Sequence, residues 1–245
     1  MLVSLAVRRF GPQIGGLFGG LPVVAGPILL VYALEQGDAF AAQAAASSLV
    51  ALVGLTAFVV YVAVLGPRLG AVGSVVTGWG VFCAVAFLVA LPELSPVAGL
   101  ALCCVTFTVA LATMPRPAPG EHPGVPQRPR YDLTLRASVA AAMVLVLTSV
   151  AAQLGPLASG VLAPFPTITS VLAGFATAHE TRPTTLHLLR NMIRSFFSFA
   201  AFLFTVAVAV EPWGTAAAFT GAVGVMLAVQ AGLWLLAPRS ARDPR

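Results

Sequence analysis

The chain has 245 residues, 59% of them hydrophobic and only 9% charged, with a mean hydropathy of +0.96. Water-soluble domains carry about 25% charged residues, so this composition excludes a soluble globular domain and describes an all-α polytopic membrane protein. The net charge of +5 rests on thirteen basic residues, all arginine, so neither a Schiff-base lysine nor a phosphate-loop lysine exists here. The absence of lysine, with the richness in Ala, Gly, Val and Pro, reads as the coding bias of a high-GC bacterial genome.

Crossing the roughly 30 Å hydrocarbon core takes about 20 apolar residues in a helix. Residues 1–10, MLVSLAVRRF, place a basic pair after the apolar run and offer no small-residue cleavage site. They read as a first helix, short or truncated at its start, rather than as a signal peptide. Further helices are expected at 13–34, 41–65, 69–91 and 95–114. Residues 115–131, PRPAPGEHPGVPQRPRY, hold six prolines, two glycines and three arginines and read as a solvated linker with polyproline character. Beyond it, helices are expected at 133–153, 156–178, 185–210 and 213–237, then a polar tail over 239–245. The total is eight or nine spans. Cys83, Cys103 and Cys104 all sit in apolar runs, where they behave as small packing residues, and their spacing spells neither a disulfide framework nor a zinc site.

The chain repeats itself. Residues 11–37, GPQIGGLFGGLPVVAGPILLVYALEQG, match residues 155–181, GPLASGVLAPFPTITSVLAGFATAHET, so that Gly11, Pro12, Gly16 and Pro22 fall on Gly155, Pro156, Gly160 and Pro166 at one offset of 144. The same offset places Phe58 on Phe202, Gly70 on Gly214 and Gly80 on Gly224. Spaced Gly and Pro matches of this kind indicate an internal duplication.

Charge tests the helix list independently. Alternating loops put every arginine on one side, Arg8, Arg9, Arg68, Arg116, Arg128, Arg130, Arg136, Arg182, Arg190, Arg194, Arg239, Arg242 and Arg245, while Glu35, Asp38, Glu93 and Glu211 fall on the other. Arginine collects on the cytoplasmic side of membrane proteins, so the linker and the C-terminus are expected in the cytoplasm of a bacterial inner-membrane protein. The basic balance then reflects orientation in the bilayer, and nucleic acid need not be invoked. Five crossings separate the first helix from the sixth, an odd number, so the two copies have opposite topology. The expected layout is a first four-helix repeat over 1–92, an extra helix and linker over 93–132, and a second, inverted repeat over 133–238. Inverted repeats of this kind characterise many secondary transporters, with the substrate site at the repeat interface near the bilayer midplane.

Pro22 and Pro166 stand near mid-membrane in the second and seventh helices. Each removes a backbone donor and clashes with the preceding turn, so each helix is expected to kink or open there, and freed carbonyls in lipid must find partners or line a cavity. The expected substrate site comprises Gly16, Pro22, Gly26, Gly160, Pro166, Thr167, Thr169 and Ser170. Glu35 and Asp38 end the second helix, and His179 and Glu180 end the seventh. These are candidates for gates or a proton relay at the two mouths, against the plainer reading of solvated helix ends. Arg190, Asn191 and Arg194 share a face near the start of the eighth helix and could hold an anion on the cytoplasmic side, against snorkelling interfacial arginines. No catalytic, metal or cofactor motif is present.

The segments SGVLAPFPTITSVLAGF and IGGLFGGLPVVAGPILL resemble the GlpM-like family of small bacterial inner-membrane proteins, four-helix units with an apolar G-L-x-x-x-F-P segment. The resemblance implies a tandem fusion of two such units. The family has no defined activity, and this chain departs from it in length and in the Pro-rich connector.

Three functions fit. The first is a small-solute transporter or permease working by alternating access around the two proline breaks. The second is a non-transporting subunit of an envelope polysaccharide or lipid assembly system, partnered by another membrane protein or a second copy. The third, an intramembrane enzyme, lacks a recognisable acid, base or nucleophile set. Reporter fusions after Asp38 and within 116–130 are expected to report opposite sides of the membrane; the same side for both would remove the inverted topology.

Overall fold

A computed structural model describes residues 25–90, 94–116 and 165–236. Among them every regular element is a helix: α1 (Ala25–Gln36), α2 (Asp38–Ala90), α3 (Pro96–Thr113), α4 (Thr167–His179) and α5 (Arg182–Leu236). Helices α2, α3 and α5 are long and apolar enough to cross a membrane. Helix α3 shows how local sequence sets an element's ends. The Ser95 side chain accepts a hydrogen bond from the Ala98 amide, Pro96 occupies the first turn, and the helix stops at Met114 just before Pro115.

Helices α2 and α5 run for 53 and 55 residues. Drawn straight, each would be about 80 Å long, far more than a bilayer's hydrocarbon thickness. Both instead double back at a single glycine, Gly70 with φ 70° and ψ 177°, and Gly214 with φ 74° and ψ 162°. That backbone region is essentially closed to any residue with a Cβ. Pro67 and Pro212 stand just ahead of the two turns and weaken the helical hydrogen-bond ladder where the chain must leave it. The breaks expected after residues 65 and 210 therefore fall at these glycines, with no intervening loop.

The doubling back creates two antiparallel pairs of arms, 38–69 with 71–90 and 182–213 with 215–236. In the first pair, Gly54 lies so close to the returning arm that a Cβ there would come within 2.8 Å of the Phe82 carbonyl oxygen. Gly78 makes room for the ring of Phe58, and the Tyr61 hydroxyl donates to Thr77 Oγ1 at 2.9 Å. In the second pair, Ser198 Oγ donates to Gln230 Oε1 at 2.7 Å, and the Phe202 and Phe219 rings meet edge to face. Small residues at such crossings let helices approach closely, which drives packing where lipid removes the hydrophobic incentive.

Contacts between elements give the direction of each. Thr215, beside the Gly214 turn, donates to Asp38 Oδ1 at 2.6 Å, so the turn of α5 and the start of α2 share one end of the bundle. At the opposite end, Gly66 packs on Thr177, bringing the turn of α2 beside the C-terminus of α4. Helix α3 packs its first half on α2, where Cys103 Sγ donates to the Leu49 carbonyl, and finishes beside Arg190 of α5. Helices α1 and α2 thus run in the sense opposite to α4 and α5. This gathers Arg68, Arg116, Arg182, Arg190 and Arg194 at one end with Glu180, and Glu35, Asp38 and Glu211 at the other.

Arms 38–69 and 182–213 form the centre. Leu49, Leu52, Phe58, Leu189, Met192, Ile193, Phe196 and Leu203 are fully buried there, and the serines among them, Ser48, Ser195 and Ser198, are buried too. The outer arms and α3 instead expose large apolar side chains, including Val72, Leu88, Val97, Val105 and Leu235. A helix buried all round belongs inside, and an apolar rim this extensive suits hydrocarbon rather than water.

No neighbour lies within 4 Å of a Cβ built at Gly70, Gly214, Gly80 or Gly224. Gly70→Ala and Gly214→Ala are therefore expected to lower unfolding stability in detergent by about 1–3 kcal/mol each, through backbone strain alone. Gly80→Ala and Gly224→Ala, in ordinary helix, are expected to be neutral or to stabilise by up to about 1 kcal/mol.

Candidate functional site

Of the seventh helix expected at 156–178, the described part is α4, which begins just after Pro166; residues 156–164 lie outside the described residues. Phe165 and Pro166 are not helical, and α4 starts at Thr167 with Pro166 as its cap at φ −70° and ψ 47°. Proline offers no side-chain oxygen, and no side chain caps this helix. The Thr167 amide turns back onto the Phe165 carbonyl at 2.6 Å, and the helical ladder opens with Ser170 N–H on the Pro166 carbonyl at 2.7 Å. The first-turn amides of an α-helix lack partners within the helix, and the aligned peptide dipoles leave partial positive charge there.

With 13 residues, α4 is only about 20 Å long, too short to cross a bilayer by itself. Its C-terminus lies at the arginine-rich end, so its N-terminus sits deep within the bundle. Pro166, Thr167, Thr169 and Ser170 are all buried there. The returning arm of α2 covers them. Trp79 Nε1 donates to Ser170 Oγ at 2.8 Å, and the Phe165 ring packs against Trp79 and Phe82 with centroids 5.8 and 5.4 Å apart. Gly174 accommodates Val75 one turn further along. Among the described residues, Thr167 Oγ1 is the one buried side-chain oxygen or nitrogen without a hydrogen-bond partner. Leaving such a group unpaired costs about 1–3 kcal/mol.

The other expected substrate residues divide. Gly26, near the start of α1, is buried and leaves room for the Phe202 ring, to which an added Cβ would come within 3.5 Å. Gly16, Pro22 and Gly160 lie outside the described residues. Trp79 and Phe165, which complete the surroundings of Ser170, were invisible to the sequence reading, because an aromatic in an apolar run looks like ordinary packing.

The gate candidates separate to opposite ends. Glu35 is exposed at the end of α1, while Asp38 stands at the first position of α2 and accepts the bond from Thr215. His179 is exposed on the last turn of α4, its ring stacked on Phe175 and its Nδ1 3.3 Å from the Phe175 carbonyl oxygen. Glu180 follows as the C-terminal cap, its amide donating to Ala176 O. A threonine cluster joins α4 to α5 at this junction: Thr181 bonds Thr184 at 2.9 Å, and Thr185 Oγ1 donates to the Ala176 and Thr181 carbonyls.

Of the anion-site candidates, Arg190 has a defined task. Its guanidinium donates to the Leu111 carbonyl at 2.9 Å and the Met114 carbonyl at 3.0 Å, satisfying the open C-terminal end of α3. Arg194 donates to Asn191 Oδ1 at 2.9 Å one turn along, with Asn191 buried and Arg194 exposed.

Compared with known proteins, the chain matches no family model, no curated protein and no solved structure.

Arg190→Gln is expected to destabilise the protein by about 1.5–3 kcal/mol, because two charge-assisted bonds are lost and buried carbonyls are left open. Arg194→Gln, which removes a bond at an exposed position, is expected to cost less than about 1 kcal/mol. Thermal unfolding of the two variants in the same detergent separates the cases.

Proposed function

We propose that this chain is a carrier of the bacterial inner membrane that moves a small solute by alternating access between two inverted four-helix repeats. The observation that carries this reading is the short helix α4, whose N-terminus opens deep within the bundle after the non-helical Phe165 and Pro166. Helices broken at mid-membrane are what carriers use to present backbone groups to a solute, and irregular backbone is tolerated at that depth only where protein or a wet cavity surrounds it.

The offset of 144 supports the repeat. Helix α2 starts at Asp38 and α5 at Arg182; the chain reverses at Gly70 and at Gly214 with nearly the same φ and ψ. The contact of Gly54 with Ala86 has its counterpart in the hydrogen bond of Ser198 with Gln230, again 144 residues on. Helices α1 and α4 correspond likewise, and the opposite sense of the two halves is what an inverted repeat requires. On this reading the whole chain crosses the membrane eight or nine times. The arginine-rich end faces the cytoplasm, as the distribution of basic residues in membrane proteins requires, and so do the 115–131 linker and the C-terminus. Rocking α1 and α2 against α4 and α5 opens the Thr167 region to each side in turn.

Alternating access can be tested before any solute is known. With the three native cysteines replaced, Ile168→Cys is labelled in oriented vesicles by a membrane-impermeant maleimide. Labelling from both sides is expected, with Glu35→Cys labelling from one side only. In the Pro22→Ala, Pro166→Ala double variant, labelling from one side is expected to fall by about tenfold, the change that about 1.4 kcal/mol of bias between two states produces. Ile168→Cys that labels from neither side would sink the carrier reading.

A further inference from the structure

We infer that the N-terminus of α4 is a carboxylate site, so that the solute is a small monocarboxylate with an apolar body. This deepens the carrier reading and rests on it.

Three features meet at one place. The α4 N-terminus has Pro166 as its cap, which makes no side-chain hydrogen bond, and carries the positive end of the helix dipole. At its first position Thr167 is 2% exposed and its buried hydroxyl has no partner, the one such side-chain atom among the described residues. Buried polar groups in folded proteins are almost always paired, so an unpaired hydroxyl at a helix start marks a place reserved for something that accepts a hydrogen bond. One turn on, Ser170 already accepts from Trp79, which fixes that hydroxyl's position beside the same turn.

The surroundings choose the chemistry. Residues 165–178 and 71–90, the two segments that pack together here, contain no Asp, Glu, Lys or Arg. A cation would meet the positive end of a dipole, and neither of these segments supplies a carboxylate to neutralise it. A multiply charged anion such as phosphate would find no cationic side chain on either segment and only the dipole's partial charge, too little where burial makes each unpaired charge costly. A single carboxylate, accepting from the Ile168 and Thr169 amides, which follow the bonded Thr167 amide, and from the Thr167 hydroxyl, fits both limits. Trp79 and Phe165, each half-buried, offer aromatic faces for an apolar tail.

Trp79 is also the reporter. Trp213, beside the Gly214 turn, and Trp234, on the outer arm, are both exposed and are replaced by Phe, leaving Trp79 as the single tryptophan of the purified full chain in nanodiscs. Titration with sodium propionate is expected to change Trp79 fluorescence saturably, while sodium chloride at equal ionic strength and 1-propanol do not. Thr167→Val, which keeps the shape and removes the hydroxyl, is expected to weaken propionate by about tenfold or more, and Thr167→Ser to stay within about threefold of the parent. No saturable change with propionate, an equal response to 1-propanol, or equal affinity in Thr167→Val would overturn the site. The comparison of propionate with 1-propanol decides even where a variant fails to fold. Saturable propionate binding without two-sided labelling of Ile168→Cys upholds the carboxylate site and removes transport. Two-sided labelling without a propionate response removes the carboxylate site and leaves transport standing.

Discussion

Every backbone amide and carbonyl in this protein has to be satisfied inside a chain with almost no polar side chains to spare, and the places where the helical ladder stops therefore define the architecture. An apolar helix in hydrocarbon can continue at little cost and can be interrupted only where something else takes over the freed groups. Gly70 and Gly214 interrupt it with a backbone conformation that reverses the chain within one residue. At Pro166, which has no amide donor, α4 begins, and its first turn is buried.

Close helix approach does the work that hydrophobic collapse does in water. Gly54 against Ala86 and Gly78 against Phe58 hold the two arms of α2 together, and Gly66 and Gly174 seat α4 on those arms. Polar side chains are spent sparingly and on defined tasks. Thr215 ties Asp38, Ser198 ties Gln230, and Arg190 closes the open end of α3. Against this economy a hydroxyl left unpaired at Thr167 stands out, since its neighbours Ser170 and Trp79 are bonded to each other. That unpaired hydroxyl at a helix start is the feature on which the proposed carboxylate site rests.

Much of this was legible beforehand, residue by residue. The apolar runs located α3 within a residue of its ends, because Ser95, Pro96 and Pro115 are local signals that act through their own backbone. Pro166 was expected to open its helix, and the helix does begin after it. The closeness of the breaks between third and fourth and between eighth and ninth helices was underestimated, because glycine in an apolar run reads as a packing residue and its torsion angles are not written in its identity. The face shared by Arg190 and Arg194 was readable from helical spacing, whereas the attachment of Arg190 to carbonyls of α3, 76 and 79 residues away, was not.

By itself, then, the sequence determined the all-helical, apolar character of the chain, the limits of α3 to within a residue, the separation of arginine from acid along the chain, and the recurrence of glycine and proline at a spacing of 144 residues. Composition, run length and local backbone chemistry act over a few residues, and they can be read from those residues. Only the tertiary structure decided that α2 and α5 each return on themselves at one glycine, that Trp79 meets Ser170 across 91 residues, and that, among the buried side chains of the described residues, the Thr167 hydroxyl is left without a partner. Those facts depend on which helix faces meet, and a chain so uniformly apolar carries little amphipathic pattern to say which face turns inward.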